Sequence, residues 1–164
     1  MSYLLDANVF MSANNQHYGL DFCPAFWDWL VHNGNAGVVF SIDKVADEIE
    51  AGQDDVSDWA SKQGQYLFRR TPASLAPQFT QVSTWAAGQQ YTPAAVNQFL
   101  QAADFYSIAH ALAGQHVVVT HEVVANSPAR IKIPNVCLGL GVRFMQPHQM
   151  LRIERARFVL GAHL

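Results

Sequence analysis

The segment that most constrains the fold is Val117-Val118-Val119-Thr120, an uninterrupted β-branched run. Such a run is typical of a central strand in a parallel sheet, because both faces of that strand are buried. Shorter apolar runs predict further strands at Tyr3–Leu5, Val38–Ser41, Leu67–Phe68 and Arg143–Met145. Strands that are separated by helical segments predict an α/β fold, a three-layer α/β/α sandwich with a central, mostly parallel sheet.

Helical patterns separate these strands, and glycine or proline marks several of their ends. They cover residues 22–31, 43–51, 54–65, 74–89, 93–101 and 104–113, and the tail from His148 is amphipathic without a clear assignment. No repeat or long linker interrupts the chain, so we expect a single domain over residues 1–164. Hydrophobic residues make up 50% and charged residues 14%, which predicts a packed globule.

Two features of the sequence bear on where the protein acts. No apolar run approaches the ~20 residues that a membrane-spanning helix needs. The first residues, MSYLLDANVF, lack the basic start of a signal peptide. We therefore expect a cytoplasmic protein that does not enter a membrane.

Four acidic residues stand where an α/β fold places its ligands. Asp6 comes directly after the first strand, Glu122 lies two residues past the VVVT strand, and Glu48 and Asp104 lie on helices. Ligands of such sheets bind at the carboxyl ends of the strands. Each residue also has an ordinary explanation: Asp6 and Asp104 as helix caps, Glu48 as a boundary residue beside the apolar stripe, and Glu122 as an exposed loop residue.

Carboxylates brought together in this way repel one another and raise one another's pKa unless a cation neutralises them. Hard oxygen ligands suit Mg²⁺ or Mn²⁺, and the corresponding chemistry is metal-assisted hydrolysis of a phosphodiester. Thr120 is placed to orient Glu122 through its hydroxyl. The formal net charge of -3 does not exclude RNA as a substrate, because a carboxylate-rich metal site is itself negative.

At these residues the sequence resembles the PIN-domain nucleases. The matching segments are YLLDANVF, KVADEIEAG, ADFYSIAHALA and VVVTHE, and their order and spacing are more specific than any single motif. The likeness is closer to a bacterial and archaeal PIN-like subfamily catalogued only as a domain of unknown function. It extends to PAFWDWL, KIPNVCLGLGV and Met150-Leu151, and so covers nearly the whole chain.

The resemblance implies a Mg²⁺- or Mn²⁺-dependent nuclease that cuts single-stranded RNA. It also implies the toxin of a toxin–antitoxin pair, inhibited by a small protein partner and often dimeric. Asp6, Glu48 and Asp104 match the family's first three acids. The fourth is usually an aspartate in a T-x-D setting, whereas this chain has Thr120-His121-Glu122, so the geometry of the metal site is expected to shift. Asn8 is a candidate for a supporting or water-binding residue.

Other functions stay open on the sequence alone. One is a non-catalytic PIN-like module that binds RNA or protein, and another is a phosphotransferase with Asp6 as its nucleophile. The second chemistry usually needs an acid two residues later, where this chain has Asn8. His121 is a candidate helper residue. The candidates for binding phosphate are Arg69, Arg70, Arg152, Arg155 and Arg157, together with Arg130 and Lys132 nearer the acidic residues.

Overall fold

A computed structural model describes residues 2–161 and contains a five-stranded sheet in the order β3-β2-β1-β4-β5. Every neighbouring pair in it is parallel. The strands are β1 (Tyr3–Leu5), β2 (Val39–Ile42), β3 (Phe68–Arg69), β4 (Val117–Val119) and β5 (Phe144–Met145). Helices flank the sheet, which confirms the predicted three-layer α/β/α sandwich.

The helices follow the strands in the alternation that the sequence predicted. They are α1 (Ala7–Ser12), α2 (Pro24–Asn35), α3 (Asp43–Glu50), α4 (Asp55–Ser61), α5 (Ala76–Gly88), α6 (Pro93–Gln101), α7 (Ala103–Gly114), α8 (Ile133–Leu140) and α9 (Pro147–Ile153). A π-helical turn, Ala13–His17, continues α1, and a 3₁₀ turn, Ala73–Leu75, precedes α5. Over residues 2–161, none of the helices combines the length and apolar character needed to span a bilayer.

The core is built on β1 and β4, which lie side by side in the middle of the sheet. Leu5 pairs with Val119, and both side chains are fully buried. Burying an aliphatic side chain of this size contributes about 1.5–3 kcal/mol. This register brings the carboxyl ends of β1 and β4 to the same level, so the residues that follow them, Asp6 and Thr120, are neighbours.

Two helices lie in stretches to which the sequence patterns assigned no helix. α1 begins directly after Asp6, and α8 occupies part of the KIPNVCLGLGV segment. α1 has six residues and passes directly into a π-helical turn, and α8 begins with Ile133-Pro134 and contains Gly139, so neither segment shows an uninterrupted helical period.

The predicted end of α2 was wrong, whereas the predicted end of α7 was correct. The turn signal around Gly34 lies inside α2, where a Cβ would stand 3.2 Å from a Leu67 methyl carbon, so Gly34 permits a close approach and does not end the helix. α7 ends at Gly114, as predicted, where a Cβ would collide with the His116 ring, and the left-handed position that follows belongs to Gln115.

Candidate active site

A cleft of about 260 Å³ opens at the carboxyl ends of β1 and β4. The four acidic residues predicted from the sequence all line it, although they are separated by up to 116 positions in the chain. The remaining lining residues come from α1, from α6 with the segment that follows it, and from the segment before α8. They are Ala7, Asn8, Met11, Ala95, Gln98, Phe99, Ala102, Arg130 and Ile131.

Asp6 lies on the floor of this cleft and is only 4% exposed. It is the N-cap of α1, where its Oδ1 accepts a hydrogen bond from the Ala7 amide at 2.7 Å. Its Oδ2 accepts a hydrogen bond from the Thr120 hydroxyl at 2.9 Å. The capping explanation of Asp6 is thus correct, and it is compatible with the residue's place in the cleft.

The Thr120 hydroxyl joins the two central strands at this point. It donates to Asp6 and accepts from the Glu122 amide at 3.1 Å and from Asn8 Nδ2 at 3.4 Å. Asn8 Oδ1 in turn accepts from the His121 amide at 3.2 Å. The prediction that Thr120 orients Glu122 through a hydrogen bond holds for the Glu122 backbone, whereas the carboxylate that the hydroxyl contacts within residues 2–161 is that of Asp6.

Glu48 and Asp104 approach the cleft from α3 and α7. Glu48 is exposed, and its Oε1 accepts a hydrogen bond from the amide of Ala103, the first residue of α7, at 3.2 Å. Asp104 is the second residue of α7 and does not act as its N-cap, so the capping alternative for Asp104 was wrong. Glu48 instead supplies an acceptor to that helix end from a neighbouring element.

Glu122 is held in a similar way by the other end of the cleft. Its Oε2 accepts a hydrogen bond from the amide of Ile133, the first residue of α8, at 3.3 Å. The side chain is half-buried, so the alternative of a freely exposed loop glutamate was wrong. α8, which the sequence patterns did not assign, therefore fixes one of the four predicted acids.

Two carboxyl groups of the cleft, those of Asp6 and Asp104, have pKa values well above the ordinary value for an aspartate. Burial raises the pKa of Asp6 to about 7, and the charges of Glu122 and Glu48 add to this, although the bonds from Thr120 and Ala7 oppose it. Burial also raises the pKa of Asp104 to about 8, with further contributions from Asp6, Glu122 and Glu48. Arg130 acts in the opposite direction on Asp104. Near neutral pH the folded protein therefore retains protons at these two carboxyl groups. A cation that binds the carboxylates would replace those protons.

The donor set of this cleft fits a hard divalent cation. Carboxylate oxygens are the preferred protein ligands of Mg²⁺, which takes few of them and fills its remaining positions with waters and phosphate oxygens. Among residues 2–161, no three His, Cys, Asp or Glu side chains are already grouped as ligands of one ion. Glu48 and Glu122 both line the cleft, and these hydrogen bonds each engage one of their carboxylate oxygens, Oε1 in Glu48 and Oε2 in Glu122.

The other residues that the sequence suggested lie in different places, some in the cleft and some outside it. Arg130 lines the cleft, as its place near the acids in the sequence indicated. Arg69 lies instead over the Phe40 ring, 3.8 Å from its centroid. His121 lines a neighbouring cavity and does not line the acidic cleft. Gln98, which also lines the cleft, carried no signal in the sequence, because a polar residue on an exposed helix face is ordinary.

The fold and this cleft define a parallel α/β sandwich with a carboxylate-lined site at the carboxyl edge of its central strands. The chain belongs to the family described as "Domain of unknown function (DUF4411)", whose model matches residues 3–158. The expectation of a family catalogued as a domain of unknown function is thereby confirmed. No curated protein and no solved structure matches the chain.

Proposed function

We propose that the protein is a divalent-metal-dependent endoribonuclease that hydrolyses phosphodiester bonds of single-stranded RNA. The observation that carries this proposal is the convergence of Asp6, Glu48, Asp104 and Glu122 on one cleft. A site that gathers carboxylates and partly buries two of them is destabilised unless a cation is bound. A binding surface for RNA gains nothing from such clustering, which argues against a non-catalytic module.

The four acids have distinct roles in this proposal. Asp6 and Asp104 are the principal ligands, because they are the most deeply placed carboxyl groups of the cleft. Glu48 and Glu122, anchored on the amides of Ala103 and Ile133, complete the site or position the attacking water. A bound Mg²⁺ or Mn²⁺ supplies an activated water and neutralises charge that develops on the phosphate. Thr120 and the Ala7 amide hold the Asp6 carboxylate in one orientation, and Asn8 contacts the Thr120 hydroxyl.

The phosphotransferase alternative requires a carboxylate oxygen of Asp6 to attack phosphorus. Both Asp6 oxygens already accept hydrogen bonds, from Ala7 and from Thr120. Asn8, at the position where that chemistry usually needs an acid, hydrogen-bonds to Thr120 and to the His121 amide. The hydrogen bonds of Asp6 fix its orientation, and the amide side chain at position 8, in place of an acid, argues against the phosphotransferase.

The resemblance to PIN-domain nucleases supports the same reaction and extends the proposal to a biological role. On that basis the protein is a PIN-like toxin of a toxin–antitoxin pair that acts in the cytoplasm. A small protein antitoxin would inhibit it, and the protein would form a homodimer. These parts rest on the family likeness, whereas the cleavage chemistry rests also on the cleft.

The test is cleavage of labelled single-stranded RNA by the purified protein with Mn²⁺, beside an EDTA control and the Asp6→Asn variant. Asp47→Asn provides a matched control, because Asp47 is an exposed acid on α3 that does not line the cleft. We expect cutting by the wild type and by Asp47→Asn, and none with EDTA or in Asp6→Asn with its folded circular dichroism spectrum intact.

The rival functions predict different results. Equal behaviour of the wild type and Asp6→Asn across a varied RNA set, without Mn²⁺ binding in calorimetry, would leave the non-catalytic module as the better explanation. A phosphoenzyme trapped at Asp6 would establish the phosphotransferase. Cutting that survives both EDTA and Asp6→Asn would exclude the metal nuclease.

A further inference from the structure

A second cavity, of about 180 Å³, lies directly beside the acidic cleft. Val9 and His121 line this cavity, and the residues next to them in the chain, Asn8 and Glu122, line the acidic cleft. Because these residues are consecutive in the chain, the backbone at Asn8–Val9 and at His121–Glu122 forms the wall that the two sites share. The hydrogen bond from the His121 amide to Asn8 Oδ1 fixes that wall.

Aromatic rings form most of the second cavity. The His17 and His121 rings stack with centroids 5.4 Å apart and an interplanar angle of 28°. Behind them Tyr18 stacks on the buried Phe26 ring at 4.7 Å and 16°. We name the cavity the histidine pocket after His17, His121 and His148, which line it together with Tyr18, Phe26 and Pro147.

The backbone is shaped to bring these rings together. The π-helical turn Ala13–His17 widens the end of α1 and delivers His17 to the rim of the pocket. Single π-helical turns are uncommon and occur frequently at functional sites. The His17 side chain is exposed, and His121 is half-buried, so the stacked pair reaches from the protein interior to solvent.

We propose that the histidine pocket binds one base of the single-stranded RNA whose backbone passes through the acidic cleft, so that it selects where the chain is cut. This inference rests on the proposed nuclease function. Proteins bind single-stranded nucleic acid by stacking bases on aromatic side chains, including histidine, beside a site that holds the backbone. The adjoining pocket and cleft provide that pair of sites.

The size of the pocket indicates which part of a nucleotide it takes. Pockets for drug-sized ligands occupy about 300–1,000 Å³, so a cavity of about 180 Å³ suits one ring system and not a whole nucleotide. Apolar walls from Val9, Ala13 and Phe26 favour a flat aromatic group. The Gln146 side chain also lines the pocket but accepts the capping hydrogen bond of α9, whereas the exposed His148 offers its ring nitrogens to the rim of a base.

A transition-metal ion is the other ligand that three histidines suggest. A zinc ion needs ring nitrogens that converge on it at about 2.0–2.1 Å. The His17 and His121 rings are stacked, and among residues 2–161 they form no three-ligand group with His148 that could hold a metal ion. Stacking on a third ring requires no such convergence, which is why the geometry favours a base.

The experiment measures binding of a short labelled RNA, and of an abasic oligonucleotide of the same length, to the full-length protein. An Asp6→Asn background keeps the RNA intact and removes one of the charges that repel phosphate. In this background we compare His17→Ala, His17→Phe and, as a matched control, His32→Ala. His32 is an exposed histidine of α2 that does not line the pocket.

A stacked base is worth about 1–3 kcal/mol, and 1.4 kcal/mol corresponds to tenfold in affinity. We therefore expect His17→Ala to weaken RNA binding by roughly tenfold and to leave binding of the abasic chain unchanged. His17→Phe retains a ring and should bind RNA nearly as well as the background protein, and His32→Ala should match it. A metal or hydrogen-bonding role for His17 predicts instead that His17→Phe behaves like His17→Ala.

The proposal is overturned if His17→Ala weakens both oligonucleotides equally, if His17→Phe fails to restore affinity, or if calorimetry shows zinc binding that His17→Ala removes. Base-dependent binding by a protein that never cuts RNA would refute the nuclease and retain the pocket. Metal-dependent cutting with affinity and cleavage positions unchanged by His17→Ala would refute the pocket and retain the nuclease. Absence of any RNA binding refutes both.

Discussion

At the residue scale, the Asp6 carboxyl group is buried, and its surroundings disfavour its negatively charged form. Its pKa of about 7 is raised first by burial and then by the charges of Glu122 and Glu48. Above that pH, and without a cation, the folded protein holds a buried negative charge beside other negative charges. Asparagine removes this charge and with it the ligand, and the relief of the buried charge outweighs the loss of one acceptor, because its single oxygen can accept from only one of Ala7 and Thr120.

We therefore expect Asp6→Asn to raise the melting temperature of the metal-free protein at pH 8 by a few degrees, as a gain of about 1 kcal/mol does for a domain of this size. The same variant should lose the stabilisation that Mn²⁺ gives the wild type. Thermal unfolding followed by circular dichroism, with and without Mn²⁺, measures both effects. A melting temperature that falls in Asp6→Asn, or an undiminished Mn²⁺ response, would contradict this account.

Thr120 has a measurable influence on Asp6 through a single hydrogen bond. The hydroxyl donates to Asp6 Oδ2 and lowers the Asp6 pKa. Thr120→Val removes this donor and leaves the Glu122 amide without its acceptor. An unsatisfied buried group costs about 1–3 kcal/mol, so we expect a loss of that size in the free energy of unfolding.

The same substitution should also move the pH dependence of Mn²⁺ binding upward, because a ligand with a higher pKa releases its proton only at higher pH. Thr120→Ser keeps the hydroxyl and should leave the pH dependence where it is in the wild type. Isothermal titration calorimetry between pH 6 and pH 8.5 tests both variants. An unchanged profile in Thr120→Val would show that the hydroxyl does not act on the ligand.

At the scale of elements, two helices begin at the acidic cleft, and the first backbone amide of each donates a hydrogen bond to one of its acids. α7 starts at Ala103, whose amide donates to Glu48, and α8 starts at Ile133, whose amide donates to Glu122. Neither helix has a side-chain cap from its own N-cap residue, Ala102 or Lys132. Glu48 and Glu122 therefore help to position the two helices that border the cleft.

Two substitutions of Glu48 distinguish the effect of its hydrogen bond to α7 from the effect of its negative charge. Glu48→Gln keeps an oxygen for the Ala103 amide and should preserve stability while it weakens Mn²⁺ binding. Glu48→Ala removes both, and we expect it to lose about 0.5–2 kcal/mol, as the loss of a helix cap does. Chemical denaturation and calorimetry on the two variants distinguish the roles. Equal stability of the two variants would show that the contact with α7 is negligible.

The elements that the sequence predicted well are those with a strong pattern. The VVVT run and the YLL run revealed the central strands, and strand ends then located Asp6 and Glu122. Glu48 and Asp104 followed from their helix faces and from the family likeness. The histidine pocket was not predictable, because His17, His121 and His148 meet only through a π-helical turn and a crossover to β5. No local spacing encodes that meeting.

At the scale of the whole molecule, the buried acids and histidines make stability depend on pH in opposite senses. Burial lowers the pKa of His110 to about 4, so its contribution to stability is present above pH ~6.5 and is lost as the pH falls toward 4. The raised pKa values of Asp6 and Asp104 act the other way. Below pH ~6.5 these effects oppose each other, so only the range above it isolates the carboxyl groups.

The sign for the carboxyl groups follows from proton binding. Between the ordinary pKa of an aspartate, about 4, and the folded values of about 7 for Asp6 and about 8 for Asp104, the folded state holds protons that the unfolded state has released. Stability therefore falls as the pH rises through this range. The buried thiol of Cys137, with its pKa raised to about 12, adds a decline of its own only above pH ~8.5.

We accordingly expect the metal-free protein to lose stability between pH 6.5 and pH 8, and the double variant Asp6→Asn/Asp104→Asn to show little change over the same interval. Mn²⁺ binds the folded state and stabilises it by RT ln(1 + [L]/Kd). Because protons compete with the ion for the same carboxylates, the increase in melting temperature should be larger at pH 8 than at pH 6.5. Thermal scans of both proteins at the two pH values, with EDTA and with Mn²⁺, measure each term. If wild-type stability is constant or rises from pH 6.5 to pH 8, Asp6 and Asp104 have ordinary pKa values. The carboxylates of the cleft would then not destabilise the folded protein in the absence of a cation.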